Sequence, residues 1–169
     1  MDRLDPAASM TSNARPWVFA GESDELDPYV QAISALPDCL VVRFDGKDMQ
    51  TLDDLFEVYG RAFGFPAYFG KNWPAFDECM SDLNDTPSPV YLVVVEEAER
   101  LLDDDSDELS TFLKVCSAIG RYWSSRIGLG SLWGGGEVAF NTLILFSRPS
   151  GPVLDTIRSD HEILTLRDG

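Results

Sequence analysis

The chain has 169 residues, enough for one domain that needs neither disulfide nor metal to hold it, since a chain of this size buries roughly 70% of its unfolded surface. Hydrophobic residues make up 44% and aromatics 11%, a globular rather than a disordered composition. Thirteen Lys+Arg stand against 29 Asp+Glu, a net charge of −16, a field that repels nucleic acid and anionic membranes and attracts basic proteins.

Residues 1–15 are small and polar with no period, which predicts a disordered start. They hold no apolar segment of the kind a signal peptide needs, and no apolar run in the chain reaches membrane-spanning length, so a cytoplasmic protein is expected. Pro16–Ala20 (PWVFA) is a candidate strand ended by Gly21. Ser23 or Asp24 can cap a helix over 24–36, with apolar residues at Leu26, Tyr29, Val30, Ile33 and Leu36, closed by Pro37. Residues 16–37 therefore read as a strand and a helix ahead of the segment 38–148. Cys39–Phe44 (CLVVRF) is a β-branched run closed by Asp45-Gly46, a strand and turn. Thr51 can cap a helix whose stripe is Leu52, Leu55, Phe56, Tyr59 and Phe63, stopped by Gly64 and Pro66.

A loop over 66–71 leads to a second helix capped by Asn72, with Pro74 in its first turn, where a missing N–H costs little. Its inward stripe is Trp73, Phe76, Cys79, Met80 and Leu83; Asp77, Glu78, Ser81 and Asp82 point outward. Val90–Val95 (VYLVVV) is apolar at nearly every position, as in a sheet covered on both faces. Glu96–Glu108 reads as a short turn and an acidic loop. Leu109, Phe112, Leu113, Cys116, Ile119 and Trp123 mark a long amphipathic helix over 106–126. Gly128–Gly136 reads as a flexible connection, Val138–Phe146 as the last core strand, and 149–169 as a tail with one short element at 162–166. The alternation of strands and helices predicts an α/β fold.

The groups an enzyme requires are missing. His161 is the only histidine and is expected to be solvated. Cys39, Cys79 and Cys116 lack metal spacing and sit in apolar runs, which predicts small buried hydrophobes in a reducing compartment. The glycines of 128–136 follow a helix and precede a strand, the wrong order for a dinucleotide loop. Adjacent acids are expected from composition alone, so they do not single out a glycosidase pair. No basic patch with interleaved aromatics points to direct nucleic-acid binding. The expectation is a non-enzymatic protein without cofactor or metal and without membrane contact, monomeric when free.

The segment Tyr68–Met80, YFGKNWPAFDECM, resembles the barstar family of small ribonuclease inhibitors. The family pattern is two aromatics, Gly, any residue, Asn and a large apolar residue, then a helix with outward acids and an inward Cys. The order of elements over about 38–147 matches it as well. The resemblance implies a single-domain α/β fold in two or three layers, with a mostly parallel sheet of three or four strands packed with helices. It also implies a function: binding a basic ribonuclease and placing a carboxylate in its phosphate site, as an antitoxin or immunity protein does. Carried over, Tyr68 is the loop aromatic, Gly70 and Asn72 shape and cap, Trp73 is the apolar contact, and Glu78 is the phosphate-mimicking acid. Phe69, Asp77 and Asp82 complete the expected partner-binding set. Each residue also has a plainer reading: Tyr68 and Phe69 as cover for the core, Asn72 as an N-cap, Asp77 and Glu78 as a solvated face. The chain departs from the pattern in two ways. Pro74 stands where the family has its first helix acid, and Glu78 is one methylene longer than the family's Asp. The long helix offers no acid beyond Glu108. An acidic protein–protein interaction module with a non-nuclease partner is the alternative.

Overall fold

The computed structural model describes residues 5–167. Five strands, β1 (Val18–Glu22), β2 (Cys39–Asp45), β3 (Val90–Glu96), β4 (Ala139–Phe146) and β5 (Ile163–Thr165), form one parallel sheet in the order β2-β3-β4-β1-β5. The α/β class and parallel sheet are as expected, but the sheet has five strands rather than three or four.

The continuous apolar run of β3 now has its reason. Tyr91, Val93 and Val95 enter the core on one face, and Leu92 and Val94 enter the core on the other. The first face is covered by α3 (Leu52–Phe63), α4 (Trp73–Met80), α5 (Leu109–Ser124) and α6 (Pro152–Arg158); the second by α1 (Pro6–Thr11) and α2 (Ser23–Ser34). The fold is therefore three-layered. Arg43 on the edge strand β2 ties layers together, with its guanidinium 3.0 Å from Asp27 of α2 and 2.7 Å from Glu96 of β3.

Several expectations are corrected. Residues 5–15 are not a disordered start. Asp5 caps α1, accepting from the Ala7 N–H at 3.1 Å, and Met10 is fully buried. The buried Asn141 of β4 donates to the carbonyls of Met10 (2.8 Å) and Ser12 (2.9 Å), tethering α1 to the sheet. The remaining expectation for 1–4 lies outside the described residues. Gly21 does not end β1, which runs to Glu22. Neither Ser23 nor Asp24 caps α2: the helix starts at Ser23 with Glu22 as its N-cap and no side-chain bond. The long helix is shorter than 106–126, because Ser106–Glu108 forms a 3₁₀ turn before it. The tail contains a helix, α6, that its sequence did not announce; Val153, Leu154 and Ile157 bury themselves and β5 pairs beside β1. The glycine-rich connection is not bare. Its Trp133 is buried and stacks on Trp123 at 5.1 Å. Of the cysteines only Cys116 is fully buried, where burial pushes its thiol up to about 12; Cys39 and Cys79 are half-buried.

Candidate functional site

The site begins with α3. Thr51 Oγ1 accepts from the Asp54 N–H at 3.1 Å and starts the helix; Gly64 ends it in the left-handed conformation at φ 67°. A second acceptor arrives from far along the chain, Asp105 Oδ2, which takes the Leu52 N–H at 2.7 Å. The acidic segment 96–108 is thus partly scaffold. Leu101 and Leu102 are buried, and the Leu102 and Asp104 N–H groups donate to the Met49 and Gln50 carbonyls at 2.8 and 2.9 Å.

After Gly64 the chain turns back along α3. Phe65 and Phe69 pack edge to face at 4.9 Å, and Phe69 lies 5.7 Å from the Phe56 ring of α3. Lys71 takes a left-handed φ of 46° and places Nζ 2.8 Å from Glu57 and 3.2 Å from Asp53, at the start of the same helix. The next residue makes the turn into α4. Asn72 Oδ1 accepts from the Ala75 N–H at 2.9 Å, and its Nδ2 donates to the Gly70 carbonyl at 3.2 Å. A Cβ on Gly70 would stand 3.0 Å from that nitrogen, so glycine makes room for the capping side chain.

Helix α4 has a bed of aromatic rings beneath it. Phe76 lies 5.6 Å from Phe56, 5.0 Å from Tyr59 and 5.5 Å from Trp73, within the range of favourable edge contacts. It is also pinned at both ends to α5 and its approach. The Trp73 indole N–H donates to Glu108 Oε2 at 2.8 Å, and the Trp123 indole N–H donates to the Met80 carbonyl at 2.9 Å. Phe76 and Met80 are buried and Trp73 and Cys79 half-buried, while Asp77, Glu78 and Asp82 are exposed. None of the ion pairs among the described residues involves those three acids. Burial, with the Glu78 and Asp82 charges added, pushes the Cys79 thiol above its ordinary range. Tyr68, at 89% exposure, stands almost wholly in solvent on the loop before the helix.

The structure separates the expected residues by task. Tyr68, Asp77, Glu78 and Asp82 face out. Gly70 and Asn72 form the turn and cap. Phe69 and Trp73 pack inward, and the Trp73 polar atom is engaged within the chain. Sequence reasoning missed Glu108, Lys71 and Asp105 as the parts that fasten this region. Lys71 stood in plain view as the one cation in the loop; its partners on α3, like the contacts of Glu108 and Asp105, lie too far along the chain for a local signal. The result is a well-anchored surface offering carboxylates that have no cationic partner; that of Asp82 accepts from the Asn84 side chain and N–H. Among the described residues no group of His, Cys, Asp and Glu is placed to hold a metal ion, and no helix is long and apolar enough to cross a membrane.

A family model described as Barstar (barnase inhibitor) matches residues 35–131, which include α3, the loop, α4, β3 and α5. No curated protein matches the chain. Among solved structures, the ORC2 protein of Aeropyrum pernix in its ADPNP–ADP complexes is similar at 15% identity and a TM-score of 0.49. That match covers 95% of this chain but 43% of the other, and a likeness of this size carries no argument. The family match spans more than half of the 169 residues and includes the loop and helix described above: the chain belongs to the barstar family, whose members are inhibitors.

Proposed function

We propose that this protein inhibits a basic ribonuclease by seating the outward face of α4 in the enzyme's phosphate-binding site. The observation that carries the reading is that α4, pinned at both ends by indole hydrogen bonds, presents Asp77 and Glu78, with Asp82 just after it, without cationic partners. A site built for phosphates is rich in Arg, Lys and His, and a carboxylate held in place there receives charge-assisted hydrogen bonds. Glu78 takes that central place, with Asp77 and Asp82 beside it. Tyr68 supplies an aromatic anchor at the margin. Because α4 is already rigid, association need not order it, and less free energy is lost on binding. The negative field of the whole chain speeds the encounter with a basic enzyme. Steered association and a dominant buried acid are best characterised in this family's own prototype, so their magnitudes come with the resemblance and not from this chain. The inhibitory unit is residues 38–148, acting in the cytoplasm as an antitoxin or immunity protein and binding as a monomer.

The test is a ribonuclease inhibition assay on partners recovered from the native cell. Glu78→Ala should weaken inhibition by about 2 kcal/mol or more, the range of an interface hot spot. An unchanged inhibition constant would overturn the reading. One observation favours a second reading, an acidic interaction module for a different basic protein: Pro74 removes the family's first helix acid, and α5 carries no acid. Recovery of a non-nuclease partner through residues 73–83, with no ribonuclease inhibited, would select it.

A further inference from the structure

Arg43, Lys47, Arg61, Lys71 and Arg100 each lie within 3.8 Å of a carboxylate. One corner brings together two of the cations that have no such partner among the described residues. Arg15, just before β1, and Arg121, in the last turn of α5, make no ion pair among the described residues. Both guanidinium carbons instead lie 5.9 Å from the centre of the Trp17 ring. Trp17 is held firmly. Its indole N–H donates to the Asn13 carbonyl at 2.9 Å, and it sits so close to α5 that a Cβ on Gly120 would come within 2.2 Å of the Trp17 Cβ. A cavity of about 320 Å³ opens here, with Pro16 and Ile163 as apolar walls and the two arginines, His161 and Glu162 among its lining residues. An adjoining hollow shares Ser117, Arg121 and Glu162 and adds Lys114. The acids of this region, Asp160 and Glu162, pair with none of these cations.

We propose that this corner binds a small organic anion, a phosphate or carboxylate carried on a flat apolar body. A guanidinium stacked on an aromatic face keeps its N–H fork free and oriented, and such forks match phosphate and carboxylate oxygens in pairs. The cavity has the size of small-ligand sites, and its Trp17, Pro16 and Ile163 surfaces suit the apolar body. No lining residue belongs to the loop before α4 or to α4 itself, so the inference stands apart from ribonuclease inhibition.

His161 is the only histidine, so the imidazole ring signals in proton NMR, one Hδ2 and one Hε1, belong to it alone. Titration of the full chain with phenyl phosphate should shift those signals and the Trp17 indole signal saturably. Arg15→Gln and Arg121→Gln should each weaken binding at least about tenfold, since each removes a charged donor fork. Inorganic phosphate should bind more weakly than phenyl phosphate, and benzyl alcohol should not bind. Arg158→Gln, at another corner, should leave the titration unchanged. If a glutamine variant unfolds, Arg15→Lys and Arg121→Lys keep the charge and remove only the fork, and should still weaken binding. No saturable shift, equal loss in Arg158→Gln, unchanged affinity in an Arg15→Gln/Arg121→Gln double variant, or equal binding of phosphate and phenyl phosphate would each overturn the proposal.

Discussion

Two surfaces of this chain treat charge in opposite ways. On α4 the carboxylates of Asp77 and Glu78, and that of Asp82 just beyond it, have no cationic partner, and the nearest loop cation, Lys71, is held by Glu57 and Asp53. At the Trp17 corner the guanidiniums of Arg15 and Arg121 are unpaired, although acids outnumber bases more than two to one in the chain. Surface ion pairs are worth roughly 0–1 kcal/mol, so leaving such groups unpaired costs the fold little. The contrast therefore bears on recognition more than on stability. The supports differ as well: α4 lies on a bed of aromatic rings, whereas the corner depends on one tryptophan lodged against a glycine.

The largest effect should come from removing that bed. Phe76→Ala deletes the ring that touches Phe56, Tyr59 and Trp73, and should cost about 3–5 kcal/mol in urea unfolding. Under native conditions the Trp17 and His161 signals should stay in place; if they move with α4, the two surfaces are not independent. Loss of the Glu78 carboxylate, worth about 2 kcal/mol in binding by the reading above, comes next. Raising ionic strength from about 0.05 to 0.5 M should slow association with a basic nuclease roughly tenfold and change dissociation far less, because screening acts on the encounter. A rate indifferent to salt would show that the acidic field does not steer. The smallest effect is expected from Trp73→Phe, which keeps an aromatic ring and removes the N–H donated to Glu108. It should cost about 1 kcal/mol of stability, measured by urea unfolding, and a similar amount of inhibition. Full inhibition at reduced stability would mean that pinning α4 at that end is unimportant for binding.

Much of this was legible in the sequence. Thr51, the stripe Leu55–Phe56–Tyr59–Phe63 and Gly64 announce α3 because cap, period and stop all act within one helix. Asn72 and Pro74 do the same for α4, and the outward direction of Asp77, Glu78 and Asp82 followed from helical spacing. What escaped depends on distant partners. α1 is only six residues long and is held by Asn141, 131 residues after Met10. The short element expected at 162–166 is β5, but α6 before it gains its order from packing on a sheet that the local pattern cannot foresee. The roles of Phe69 and Trp73 were likewise hidden, because an aromatic in a loop looks the same whether it faces a partner or the core.

The position of β1 in the sheet has a consequence for synthesis. Its neighbours are β4, paired from Val18 to Thr142, and β5, paired from Val18 to Ile163. β1 therefore has no partner until β4, far along the chain, has been made, while β2, β3 and β4 can join in the order in which they are made. Because long loops close at an entropic cost and must wait for their far end, the nascent chain carries Trp17–Ala20 as an unpaired apolar segment until β4 emerges. Hydrogen exchange on stalled nascent chains should find the central strands protected before β1.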